Sequence, residues 1–501
     1  MPLQPIFEDI NLTQRQGSVK ERIKVECKTD VPSGNVRKIL NVSARSVVTH
    51  SEASDTAVSF EGRTTFFICY ENDDGSIEKC ECGSEFKGEI KTNGSDNCRA
   101  MVFSEVEKTE ADISGVKLGV VAYLCLDVNL YDCKRTKALV GGEELITDVK
   151  EINYLKGYGF RESVFPIEEQ FEIDCVVEDV LSQRAQAVIT AVQCGVGCII
   201  VDGEVLLSAI LLQSKEKKDI IRENKVLPFR AEIECEDAMP QMLATAFVKE
   251  KSFKTDISVE EDGGKSVVNA SIVLALSGEV YSSQSLVVAS DVFSIKEEID
   301  IEKEDCCFYQ PCDVRSESKE VVLSANVDPL SAGSTLVACS GERVEVISVT
   351  CEKDLVASCV AYTTVFFKDG DGVVFTRKIE TPFELNLDLR CEKECDYNVR
   401  AYAHKCRARL LSDSQLEISM QVFATAYPFE KCSVGLVKQV SSLGEKAQNT
   451  HAISVYIPNK GETLWSLAKR LNVSPETLIN TNQDLQFPLS GKERIVVYRQ
   501  I

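Results

Sequence analysis

Histidine is almost missing from this chain: three in 501 residues, at His50, His404 and His451. None is spaced with a nucleophile in a recognisable catalytic pattern, and Cys406 beside His404 is a local coincidence, because triads are assembled in space. Phosphate-binding loops are missing too. Gly195-Val-Gly197 lacks the third glycine of a nucleotide loop, and no Walker sequence occurs. The many Asp and Glu residues could supply a glycosidase pair, but no pattern singles one out. Neither catalysis nor a cofactor is expected. Basic residues are in short supply, 56 Lys and Arg against 79 Asp and Glu, for a net charge of −23. That balance argues against a nucleic-acid partner and disfavours an anionic lipid surface. No window approaches the ~20 apolar residues of a membrane span. The opening Met-Pro-Leu-Gln-Pro-Ile-Phe-Glu-Asp-Ile lacks the basic and apolar regions of a secretory signal, so the protein is expected to stay in the cell that makes it.

What is present is enough apolar residue for packed cores, 44% of the chain, spread over a length that suits about three or four domains. The 21 cysteines are expected to be mostly free thiols behaving as small apolar groups. Close pairs occur at Cys80/Cys82, Cys194/Cys198, Cys306/Cys307 and Cys391/Cys395. Their gaps are mixed and histidine is absent nearby, so no structural metal is expected.

A repeat is legible. Asp74-Gly75 precedes Phe86 by the same interval as Asp371-Gly372 precedes Phe383, and a β-prone run lies upstream of each. Phe229-Arg-Ala-Glu-Ile matches Phe86-Lys-Gly-Glu-Ile, with Asp202-Gly203 further upstream. Asp-Gly steps between apolar runs predict hairpin turns that need a positive φ. Leu416 to Val422 alternates apolar and polar, the period of a half-buried strand. Leu118 to Leu126 and Val205 to Leu212 are continuous apolar runs suited to strands buried on both faces. The expected fold is mainly β and multidomain: three related β-rich domains over 1–155, 156–302 and 303–440, a polar linker over 441–452, and a small α+β module over 453–501.

The last module is the most specific part of the text. Val455-Tyr-Ile fits a strand, Gly461 a tight turn, and Thr463 the cap of a helix from Leu464. Leu464, Leu467, Ala468 and Leu471 recur at helical spacing, with the sole tryptophan, Trp465, among them. Ser474-Pro475-Glu476 opens a second helix, and Ile495 to Tyr498 closes the unit as a strand. Six basic and four acidic residues make this module slightly basic on an otherwise acidic chain.

These residues closely resemble a LysM domain, through Gly461-Glu-Thr-Leu-Trp465, Val473-Ser474, Leu478 and Asn482; Glu462 stands where that family usually has aspartate. The resemblance implies a βααβ fold and a groove between two loops. One wall would be Gly461, Glu462, Thr463 and Leu464, the other Asn482, Leu485, Pro488 and Leu489. Read from the residues alone, Leu464, Trp465 and Leu467 also fit a plain core, and Asn482 a helix cap. Such grooves usually bind N-acetylglucosamine-containing glycans. Val36-Arg-Lys-Ile-Leu-Asn-Val-Ser-Ala-Arg45 and Phe165-Pro-Ile-Glu-Glu-Gln-Phe-Glu-Ile173 resemble the opening segments of SPOCS domains. Repeated SPOCS units with a terminal LysM are similar to the layout of spore morphogenesis proteins. That layout implies a non-enzymatic coat-assembly factor of the mother-cell cytoplasm, placed at the forespore surface and docking through its LysM on the morphogenetic ATPase of the coat basement layer. A peptidoglycan-binding protein of the cortex or wall is the alternative.

Overall fold

The computed structural model describes residues 3–31, 36–92, 98–114, 117–214, 219–259, 264–390, 395–447 and 452–498. Among these, helix occurs only beyond Thr463, and the preceding body is strand joined by turns. The protein is mainly β and multidomain, with a small α+β module at its carboxy terminus.

Three units share one plan, a three-stranded sheet packed on a sheet built around a very long strand. In the first, β1 (Gln4–Asp30), β2 (Val36–Ala53), β3 (Ala57–Asn72), β4 (Ile77–Lys91), β5 (Arg99–Ser114) and β6 (Lys117–Glu143) form the sheets β2-β3-β4 and β1-β6-β5. The second contains β7 (Ile146–Gly157), β8 (Arg161–Ile173), β9 (Asp179–Cys194), β10 (Cys198–Ser214), β11 (Asp219–Glu234), β12 (Leu243–Val259) and β13 (Ser266–Phe293). Here β9-β10-β11 is one sheet, while β12, β7 and β8 all pair with β13. The third repeats this with β14 (Glu297–Pro311), β15 (Arg315–Asn326), β16 (Thr335–Cys351), β17 (Asp354–Lys368), β18 (Val374–Arg390), β19 (Cys395–Leu410) and β20 (Gln415–Glu445). Its sheets are β16-β17-β18 and the set of β14, β15 and β19 around β20. The two short strands β7 and β8, or β14 and β15, occupy the place of the single β1. Along β1 the register slips between Arg15 and Gly17, where Gly17 has φ +142°. The first unit therefore takes up with a glycine bulge what the other two resolve by breaking the strand.

The repeat seen in the sequence has a structural basis. Phe86 pairs with Gly62, Phe229 with Gly203, and Phe383 with Cys359, each across the same ladder of the three-stranded sheet. The phenyl ring covers the glycine: a Cβ built at Gly62 would collide with Phe86 and sit 2.6 Å from the Val47 carbonyl oxygen, and Gly203 meets Phe229 in the same way. Aromatic cover of a strand glycine holds the register at that point. One expectation is corrected here. Asp202-Gly203 is not a hairpin turn; it lies inside β10, paired on both sides. Asp74-Gly75 and Asp371-Gly372 are turns, with φ of +83° at Gly75 and +81° at Gly372. The connection between β10 and β11 falls on residues 215–218, outside those described.

Strand pairing also shifts the outline. Ile146 opens β7 on β13 and Glu297 opens β14 on β20, before positions 156 and 303. Pairing with β14 carries β20 through residues 441–445, read from the sequence as linker, because the polar side chains of a two-stranded ribbon can face water on both sides. Residues 448–451, with His451, and Cys391 of the Cys391/Cys395 pair lie outside the described residues.

Each unit has its own apolar core, for example Val58, Phe66, Leu124 and Val128 in the first. Leu416 to Val422 alternates as its text requires, with Leu416, Ile418, Met420 and Val422 buried. In Leu118–Leu126 the even-numbered positions are fully buried and those between them half-buried, so that run is less enclosed than its composition implied. Val205 to Leu212 is buried on both faces except at Ser208 and Ala209. Its outer face joins Leu40 and Cys69 of the first unit and Phe366 and Val374 of the third. The units thus share apolar surface at their meeting point. Among the described cysteines Cys351 is disulfide-bonded, while Cys69, Cys194, Cys235 and Cys359 are buried thiols.

Candidate functional site in the carboxy-terminal module

The module is built as its sequence dictates. A two-stranded antiparallel sheet pairs β21 (Ile453–Tyr456) with β22 (Ile495–Tyr498). Thr463 caps α1 (Leu464–Leu471), its hydroxyl accepting from the Ser466 amide at 3.2 Å while Ser466 Oγ accepts from the Thr463 amide at 2.9 Å. Ser474 caps α2 (Pro475–Thr481) with Pro475 in the first turn. Leu467, Ala468, Leu471, Leu478, Leu489, Ile495 and Val497 form a closed core on one face of the sheet. Among the described residues the opposite face leaves Ile453, Val455, Ile457 and Tyr498 exposed. The alternation of Ile453, Val455 and Ile457 was the available signal for this apolar face.

The two loops predicted to wall a groove do come together. The Gly461 amide donates to the Leu489 carbonyl at 2.7 Å, and the Leu489 amide to the Glu462 carbonyl at 3.0 Å. Gly461 needs its φ of +83° to make this turn. The polar side chains of the walls are already committed internally. Glu462 takes both Arg470 Nε at 2.7 Å and Nη2 at 2.9 Å, plus the Asn459 amide at 2.8 Å. Arg470 holds the Glu462 carboxyl below its ordinary range. Asn482 donates to the Leu478 and Val496 carbonyls and accepts from the Val496 amide, so it ties α2 to β22 as well as capping the helix. Thr463 is absorbed by its cap. Leu464 and Leu485 are half-buried at the edge of the core, Leu489 is fully buried within it, and Pro488, after a cis peptide bond, is exposed.

The LysM domain family matches residues 459–489, and the SipL SPOCS domain family matches residues 35–114, the span from β2 to β5. The chain carries a SPOCS domain and a LysM domain. Their pairing is that of a SipL-like protein and places the chain in sporulation; both are non-catalytic domain families. No curated protein matches the chain, and no solved structure does. No helix among the described residues is long and apolar enough to cross a membrane.

The LysM domain does not hang free of the β body. Trp465 packs edge-on against Phe293 at 5.2 Å and donates its indole proton to Asp291 at 2.8 Å. Lys469 reaches the same carboxylate at 2.8 Å, and Lys303 from β14 at 2.9 Å. Desolvation would raise the Asp291 pKa, but the hydrogen bonds from Lys469, Trp465 and Lys303 outweigh it and hold the group down to about 2. Asn472, the left-handed C-cap of α1, donates to the Ile295 carbonyl at 2.7 Å and accepts from Lys446 at 2.8 Å. Helix α1 therefore carries the polar docking contacts. Neither Asp291 nor Phe293 was distinguishable in the sequence, since each sits in an ordinary strand text.

The two described histidines stand far apart in the chain and in different environments. His50 is exposed on β2. His404 is buried on β19 with its Nε2 unpartnered, and burial pushes its pKa down to about 4. Cys406 turns instead to Thr363 Oγ1 at 3.6 Å.

Proposed function

We propose that this chain is a non-enzymatic spore-coat assembly factor whose LysM domain docks on the morphogenetic ATPase of the coat basement layer, at the forespore surface in the mother-cell cytoplasm. On this reading the three β units, taken as SPOCS-like domains, are a scaffold that presents the LysM. The observation that carries it is the chemistry of the groove walls. Sugar hydroxyls need free hydrogen-bonding partners, whereas the Glu462, Thr463 and Asn482 side chains are spent on the module's own backbone and on Arg470 and Ser466. What the walls offer is apolar surface at Leu464, Leu485 and Pro488, better matched to a protein partner.

The test offers the full chain both ligands. The protein and its Leu464→Asp variant are mixed with the purified ATPase and, separately, with N-acetylglucosamine oligomers. Retention of the ATPase by the unsubstituted protein, loss of that retention in the variant with unchanged circular dichroism, and no retention of glycan support the reading. Retention of glycan without the ATPase replaces it with the cortex or wall reading.

A further inference from the structure

At the centre of the three units lies a chamber of about 720 Å³. Most of its walls come from equivalent strands of each, β2 and β5, β9 and β12, β16 and β19, with further residues from neighbouring strands such as β11 and β18. Three arginines close its seams in a ring. Arg45 of the first unit donates to the Phe253 carbonyl of the second at 3.1 Å. Arg184 of the second donates to the Glu342 carbonyl of the third, and Arg343 of the third to the Glu107 carbonyl of the first at 3.3 Å. Each arginine stands on the corresponding strand of its unit, so the chamber sits on an approximate threefold relation.

Its charge is opposite to that of the chain. The lining holds ten Lys and Arg residues against seven Asp and Glu residues, in a protein of net charge −23. Four ion pairs account for much of it: Arg22–Glu107, Arg222–Glu342, Arg343–Glu345 and Arg400–Asp127. Four further cations make their described hydrogen bonds to neutral oxygens. Arg45 and Arg184 donate as above, Lys249 donates to the Val102 carbonyl, and Lys378 to the Thr109 carbonyl at 3.2 Å. Of the remaining carboxylates, Glu105 lies 3.9 Å from Arg343, and burial pushes Glu250 toward its neutral form. Burial also pushes Lys249 down to about 8, with Arg400 as a like-charged neighbour. An anion set among several such donors would accept a charge-assisted hydrogen bond from each. The Glu105 side chain is 45% exposed although it faces this interior, so the chamber has room for solvent and solutes.

We propose that this chamber is a binding site for a small multivalent anion bearing carboxylate or phosphate groups. The volume is that of a small-molecule site. Arginine forks and lysine ammoniums from three units converge on it, the donor set that recognises such groups. Phe103 backs the donors, with Arg400 over its ring at 3.2 Å and Lys249 at 4.5 Å. An anion there would bridge all three units and stabilise their mutual arrangement by mass action.

The test uses the full chain at constant ionic strength, titrated calorimetrically with citrate and with pyrophosphate. The expected result is one saturable site per chain, with the tighter of the two anions identifying the chemistry as carboxylate or phosphate. Binding should weaken about tenfold in Lys249→Met and in Lys378→Gln, the loss of one charge-assisted contact each. Hydrogen exchange on the unsubstituted protein gives an independent readout, with protection by the anion confined to β2, β5, β9, β12, β16 and β19. No saturable binding of either anion, affinity unchanged in folded variants, or protection located elsewhere would each overturn the proposal.

Discussion

Trp465 donates its indole proton to Asp291 across 2.8 Å, at the centre of the contacts that join the last module to the β body. The same carboxylate receives Lys469 and Lys303, so a single side chain gathers a helix of the LysM domain and two strands of the body. Replacing Asp291 with Ala strips three donors of their acceptor at once. The expected cost is about 1–3 kcal/mol of docking energy. Trp465 is the only tryptophan, so its fluorescence reports docking directly. The emission of Asp291→Ala should move to the red while the far-ultraviolet circular dichroism stays that of a β protein.

The same contact sets an acid limit. Asp291 is held at about 2 when folded against a reference of 3.8. A lowered carboxylate pKa contributes stability that is complete above the unfolded value and is lost as pH falls through the folded one. Trp465 emission should therefore be flat above about pH 5 and shift to the red between about pH 4 and pH 2. In Asp291→Asn the starting emission should already be altered and this acid transition missing.

Gly62 under Phe86 and Gly203 under Phe229 predict a strong response to any Cβ. Gly203→Val should cost roughly 1–3 kcal/mol by overpacking, measured by urea unfolding. Adding Phe229→Ala to it should cost less than the sum of the two single changes, because the deleted ring leaves space for the new methyls. At the third equivalent position the chain already carries a side chain, Cys359, and the opposing Phe383 is less deeply buried than Phe86 or Phe229. Cys359→Gly should therefore be mild.

Within the LysM domain the two sheet faces should differ sharply. Leu467 is wholly buried in the core beneath α1, and Leu467→Ala is expected to cost about 2–5 kcal/mol. Val455, on the uncovered face, is 61% exposed. Val455→Thr should change stability by less than about 0.5 kcal/mol. Thermal unfolding of the full chain followed by Trp465 fluorescence compares the two.

Much of the LysM domain was readable because its signals are local. Thr463 and Ser474 cap helices through hydrogen bonds to residues three positions on, and Leu467, Ala468 and Leu471 reach the core through helical spacing alone. The two loops are hydrogen-bonded to each other, but the roles of their side chains did not follow from text. Asn482 serves β22, fourteen residues away, and Glu462 serves Arg470 across the helix. In the β body the repeated phenylalanines were visible and their partners were not. Asp202-Gly203 has the composition of a turn, yet strands on both sides hold it in β10, since a glycine covered by an aromatic ring looks in sequence like a glycine in a hairpin.

The sequence by itself determined the classes of structure. Alternation gave strands, and capping residues gave two short helices. All of these depend on residues within a few positions of one another. Tertiary structure alone decided which face of α1 is docked, that Asp291 and Trp465 meet, and that scattered cations from three units enclose one chamber. Those outcomes depend on partners hundreds of residues apart, where the energy lies in mutual burial and charge and leaves no local trace in the chain.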